Sequence, residues 1–206
     1  MLTEKQFNIF KVFARRPFAE YSRKSIKQES KEKSNNTLAL TINTLKKEGV
    51  LIERIIGRTG LLTLNHNNSR TALYIALCNT KRIEKSVALS IQQLKNELEA
   101  VTPFYSLVIF GSYATGKQTQ KSDVDIAIFF DGDERRKNII ASLNSAKLKA
   151  PLDIDAHAIS RTEMVEMLTN NEENLGKQIA RKHVAVHNHQ IFYDIVQEGM
   201  KHGFRI

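Results

Sequence analysis

The chain has 206 residues with 31 Lys and Arg against 22 Asp and Glu, a formal net charge of +9, three prolines and nine glycines. That is enough for one large or two small domains, and it leaves no room for long disordered linkers. The single cysteine, Cys78, excludes an internal disulfide framework and a thiolate metal cluster and suits a small core residue in a reducing, cytoplasmic setting. No apolar run approaches the ~20 residues of a membrane span, and no apolar segment follows Met1-Leu2-Thr3-Glu4 as a secretory signal would require. The charge is uneven. Residues 1–66 carry 13 basic against 6 acidic side chains, whereas 67–206 carry 18 against 16. The first third therefore faces a polyanion, the alternative being a basic surface kept for solubility.

Glu4 to Arg15, with Phe7, Ile9, Phe10, Val12 and Phe13, has the spacing of an amphipathic helix stopped by Pro17. Ser22 to Ser30 follows as a short helix with Ile26 inward. Ser34 or Asn35 caps a third helix over Asn36 to Glu48, and Gly49 sits at its left-handed exit. There Leu38, Ile42 and Leu45 form the buried stripe, and Asn36, Leu40, Asn43, Thr44 and Lys47 the outward face. VLIERIIGRTGLLTLN reads as strand, tight turn and strand, with Arg58 in the turn. This order resembles a winged helix-turn-helix over residues 1–66. The resemblance implies double-stranded DNA as partner, with the third helix in the major groove and the hairpin tip at the backbone. Asn36, Asn43 and Thr44 suit bases or phosphate, Lys47 and Arg58 suit phosphate, and Leu40 suits a thymine methyl. Winged helices also dock proteins, and Leu40 could serve that instead.

Residues 67–101 read as a helical linker. Ser69 to Thr80 is one helix and Arg82 to Ala100 a longer one. From Val87 the apolar positions Ile91, Leu94, Leu98 and Val101 follow at 4, 3, 4, 3. That narrow seam either pairs two chains as a homodimer or packs on the sheet of the next domain.

The chemistry lies in residues 102–206. Tyr105 to Phe110 is a strand, and Gly111 lets the chain turn sharply. Ser112 opens a short helical turn over Tyr113 to Gly116, an anion site suited to a triphosphate, which Lys117 could supplement. Ten residues later Asp123-Val124-Asp125 heads the strand Val124 to Phe130. Alternate strand residues share a face ~7 Å apart. The two carboxylates therefore repel unless a cation sits between them, and Mg²⁺ prefers such hard ligands. LDIDAHAIS, Leu152 to Ser160, puts Asp153, Asp155 and His157 on one face, so either aspartate could be a third ligand.

Phe110-Gly111-Ser112, Gly116, Ser122, Asp123 and Asp125 resemble the nucleotidyltransferase signature of the DNA polymerase beta superfamily. The spacing is similar to its minimal, MntA-like branch. That resemblance implies an α+β domain with a mixed sheet. It implies catalytic and metal-binding Asp123, Asp125 and Asp155, with Asp153 as backup. It implies two Mg²⁺ ions, with Mn²⁺ as substitute, and Gly111, Ser112 and Lys117 on the phosphates of a nucleoside triphosphate. A nucleoside monophosphate would pass to a hydroxyl of a protein, an RNA end or a small molecule. The competing expectation is a transcription regulator whose second domain senses nucleotide without turnover, or docks a toxin partner. Residues 161–168 and Glu172 to Lys182 read as helices, His183 to His187 as a strand, and Gln190 to His202 as a terminal helix. His183 and His187 would lie ~13 Å apart along that strand, too far to share a zinc. Asp131 to Lys137 reads as a solvated loop entering a helix.

Overall fold

A computed structural model describes residues 2–206, in two compact units that divide at Cys78 and Asn79. In the first unit, helix α1 spans Glu4–Arg15, strand β1 Tyr21–Ser22, α2 Arg23–Ser30, α3 Asn35–Lys47, β2 Leu51–Ile56 and β3 Thr59–Leu64. Helix α4, Ser69–Thr80, carries the division near its end. The start of α1 is fixed by a capping box. Thr3 accepts from the Gln6 amide at 3.3 Å, and the Gln6 side chain accepts from the Thr3 amide at 2.9 Å. Its inner face buries Ile9, Phe10, Val12 and Phe13. Ser34 caps α3 through the Thr37 amide at 3.2 Å, so that helix begins at Asn35, one residue earlier than its apolar pattern suggests. Strand β1 has only two residues, too few for any periodic signal. It pairs Tyr21 with Leu62 and completes an antiparallel sheet in the order β1-β3-β2.

The second unit is α+β with a mixed sheet. Helix α5 spans Lys85–Glu99, strand β4 Tyr105–Ile109, α6 Gly111–Thr115, β5 Val124–Phe130, α7 Arg136–Lys149, β6 Ile154–Ser160, α8 Arg161–Thr169, α9 Leu175–Arg181, β7 Val184–His187 and α10 His189–Lys201. The strand order is β6-β5-β4-β7, with β5 and β6 parallel and the other pairs antiparallel. Leu107, Ile109, Val124, Ile126 and Ile128 share a core with α5 and α7. On the other face Phe129 meets Phe192 of α10, with ring centroids 4.8 Å apart. Among the described residues no helix is long and apolar enough to cross a membrane.

The heptad-like seam is spent inside this unit. Val87, Ile91, Leu94 and Leu98 are buried in the core that covers β4 and β5. Residues 85–99 are therefore part of the second unit rather than a free linker, and a second chain cannot use that seam. Leu94→Ala is expected to cost about 3 kcal/mol of unfolding free energy by urea denaturation, with no change in native mass. A change in mass without loss of stability would contradict this packing.

Candidate active site

The site is built where β4 stops. Phe110 remains extended, and its amide donates to the Asp125 carbonyl at 3.0 Å. Gly111 then takes φ +63° and turns the chain into α6, which begins two residues earlier than the sequence pattern suggests. This glycine is required twice. Its φ lies in the left-handed region, and a Cβ there would overlap Asp125 Oδ2 and stand 2.8 Å from Cγ. The absent side chain lets the Asp125 carboxylate settle against the first turn of α6, where the Ser112 backbone favours its charged form. Arg82 Nη2 donates to the Ala114 carbonyl at 2.9 Å and anchors the other end of that turn.

The acids share one face at the heads of β5 and β6. Asp123 is exposed, just before the strand, and Asp125 is half-buried two residues on. Asp125 is in direct register with Asp155 across the parallel pair. Burial, then the charge of Asp155, push the Asp125 carboxyl above its ordinary range; His157 and the Ser112 amide oppose this. His157 Nε2 lies 3.0 Å from Asp155 Oδ2, and its ring is 5.6 Å from that of Phe110. Asp153 lies one step outside the strand, where its carbonyl accepts from the Val124 amide at 2.9 Å. All four acids are hard oxygen donors, and the strain at Asp125 is of the kind a divalent cation relieves, so the donor set fits Mg²⁺ in chemistry. Among the described residues, however, no group of three or more His, Cys, Asp or Glu is gathered at metal-ligand spacing.

A cleft of about 380 Å³ opens beside these groups. Phe110, Gly111, Thr115 and Asp125 line one wall, and Glu173, Gln178, Arg181 and Lys182 the other. Arg181 Nη1 reaches both Glu173 oxygens, at 2.8 and 2.7 Å. The opposite wall is not legible as a site in the sequence. Its one signal is the basic pair Arg181-Lys182 at a helix end. Lys117 is exposed in the loop after α6 and does not line the cleft.

Residues 92–190 match the family Polymerase beta, Nucleotidyltransferase. The match supports a polymerase-beta-type nucleotidyltransferase domain within the second unit, and with it transfer chemistry on a bound nucleotide. No curated protein and no solved structure matches the chain. The matched segment holds every acid and glycine described above, together with Arg181 and Lys182 of the cleft.

The remaining candidates lie elsewhere. In the first unit Asn36, Leu40, Asn43 and Lys47 are exposed along α3, with Leu40 at 58%. Thr44 is half-buried, and its hydroxyl donates to the Leu40 carbonyl at 2.9 Å, so the helix already uses that donor. Arg58 is exposed at the tip between β2 and β3. The histidines form no metal cluster among the described residues. His183 is buried, with Nδ1 2.9 Å from the Ile179 carbonyl and its ring edge-on to Phe192.

Proposed function

We propose that the second unit transfers a nucleoside monophosphate from a nucleoside triphosphate to a hydroxyl acceptor. The observation that carries the reading is the seating of Asp125: Gly111 makes room for it against the first turn of α6, and Asp155 stands in register beside it. The triphosphate would lie in the adjacent cleft. Arg181 and Lys182 face it there with positive charge, once phosphate oxygens displace Glu173 from Arg181. Ser112, at the start of α6 after Gly111, would meet the phosphates. Asp123, Asp125 and Asp155, with Asp153 as substitute, would hold Mg²⁺ or Mn²⁺. When bound, two such ions would neutralise the triphosphate and lower the pKa of the acceptor hydroxyl. Packing of the acids on two paired strands supplies the positioning that such a transfer depends on. The test is incubation with each α-labelled nucleoside triphosphate and Mg²⁺. Label should move to an acceptor and pyrophosphate should be released. Tight nucleotide binding without turnover would favour a silent sensor.

We propose further that the first unit is a winged helix-turn-helix that binds double-stranded DNA. The order α1, α2, α3 and hairpin supports it, as do the exposed face of α3 and the excess of basic residues before residue 67. Lys47→Ala and Arg58→Ala should each lower affinity for DNA of any sequence and reduce the salt slope of log K by about 1. Fluorescence anisotropy over a salt series checks this. An unchanged slope in both variants would contradict phosphate contact at these positions.

A further inference from the structure

The sheet of the second unit ends on a partly open edge. Strand β6 has β5 on one side and, among the described residues, no strand on the other. The Asp153 carbonyl accepts from Val124, so odd-numbered residues of this parallel ladder bond to β5 and even-numbered ones direct their amides and carbonyls outward. Two contacts follow that parity. The Ala158 carbonyl accepts from Arg136 Nη2 at 3.2 Å, and the Ser160 amide donates to Glu163 Oε2 at 2.8 Å. Arg136 and Glu163 are paired to each other at 2.8 Å. This clasp closes the edge at 158–160 and leaves Ile154 and Ala156 open, on either side of Asp155. Ala156 lies in a groove of about 720 Å³ between α7 and α8. Ile140, Leu143 and Met167 give it apolar walls, and Arg136, Lys147, Glu163 and Glu166 give it two charges of each sign.

These walls favour one class of occupant. Arg136 and Lys147 are balanced by Glu163 and Glu166, so the lining carries no net positive charge to draw a polyanion, and its one ring, His157, is held by Asp155. An extended polypeptide fits. It pairs with the outward backbone groups of Ile154 and Ala156, and its alternate side chains enter the apolar walls. An added strand lies ~4.8 Å from β6, and its residue opposite Asp155 shares the face of Asp155 and Asp125.

We propose that β6 takes the acceptor as an extended polypeptide paired along Ile154 and Ala156, so that the hydroxyl modified belongs to a Ser, Thr or Tyr of that strand. This rests on the transferase reading above. The hydroxyl oxygen forms a bond to the α-phosphorus and the bond from that phosphorus to the bridging oxygen breaks. Pyrophosphate carries off the electron pair, and the hydroxyl proton passes to water.

The test uses the full chain and a fluorescent library of peptides of roughly twelve residues, each with one Ser, Thr or Tyr. An oligoribonucleotide with a free 3′ end and glycerol are the other acceptors. Binding is read by anisotropy, and transfer by label from each α-labelled nucleoside triphosphate. Ala156→Pro removes the outward amide and spares the bonds to β5, while Ile140→Lys charges the exposed wall without touching the sheet. Both should weaken peptide binding and labelling about tenfold or more with nucleotide affinity unchanged. Peptide binding without labelling upholds the dock and overturns the transferase reading. Absence of peptide binding, labelling of the RNA or glycerol instead of any peptide, or binding unaltered in both variants overturns the dock.

Discussion

Asp125→Asn is expected to lower nucleotide transfer by on the order of 10³-fold and, at neutral pH, to make the metal-free protein more stable. Both effects come from one cause. Asp125 is a half-buried carboxylate in register with a second acid, and burial and Asp155 both raise its pKa. The amide keeps the shape of the carboxylate, so the local fold survives, but it loses the charge a cation needs. For the wild type, a carboxyl raised in the folded state binds its proton more tightly there than in the unfolded chain. That contribution is fully present below the unfolded pKa and is lost as pH rises through the raised value. The variant has no such loss. Its melting temperature should therefore exceed that of the wild type by on the order of 2 °C at neutral pH, with the gap closing in acid. Calorimetry across pH beside a transfer assay checks both halves. A variant that is less stable at neutral pH and no more so in acid would contradict the strain assigned to Asp125.

Gly111→Ala is expected to reduce transfer about 10²-fold and to destabilise the second unit by roughly 2 kcal/mol or more. A Cβ at φ +63° costs conformational energy, and here it also overlaps Asp125 Oδ2. The overlap can be relieved only by moving that carboxylate away from the first turn of α6. Gly116 provides the control. It has φ +69°, but a Cβ there meets nothing within 4 Å. Gly116→Ala should thus pay the backbone cost alone and retain most of its activity. Equal activity losses in the two variants would mean that the approach of Gly111 to Asp125 carries no function.

The sequence discloses the elements whose cause is local. Pro17 beyond the apolar pattern limits α1, and the Asp-Val-Asp head of β5 is visible because strand alternation puts both acids on one face. What it leaves open depends on which residues meet in space. The seam of Val87, Ile91, Leu94 and Leu98 has one periodicity whether it meets a second chain or a sheet, and only the fold assigns it to the sheet. Asp153 and Asp155 are equivalent by alternation, whereas in the folded sheet Asp155 is the one in register with Asp125 and beside His157. Glu173, Gln178, Arg181 and Lys182 stand more than forty residues beyond Asp125, and no spacing rule connects them to Gly111. The edge of β6 is likewise a property of strand order, which the sequence of that strand does not carry.

The transferase reading is tested most directly by pyrophosphate release. Wild type and Asp123→Ala are compared with each nucleoside triphosphate, Mg²⁺, and hydroxyl acceptors of the peptide, RNA and small-molecule classes. Asp123 is exposed at the head of β5, so its truncation leaves the core intact. Release that depends on acceptor in the wild type and falls by on the order of 10³-fold in the variant is the expected result. Wild-type protein that binds nucleotide but releases no pyrophosphate with any acceptor, or equal release by the two proteins, would contradict it.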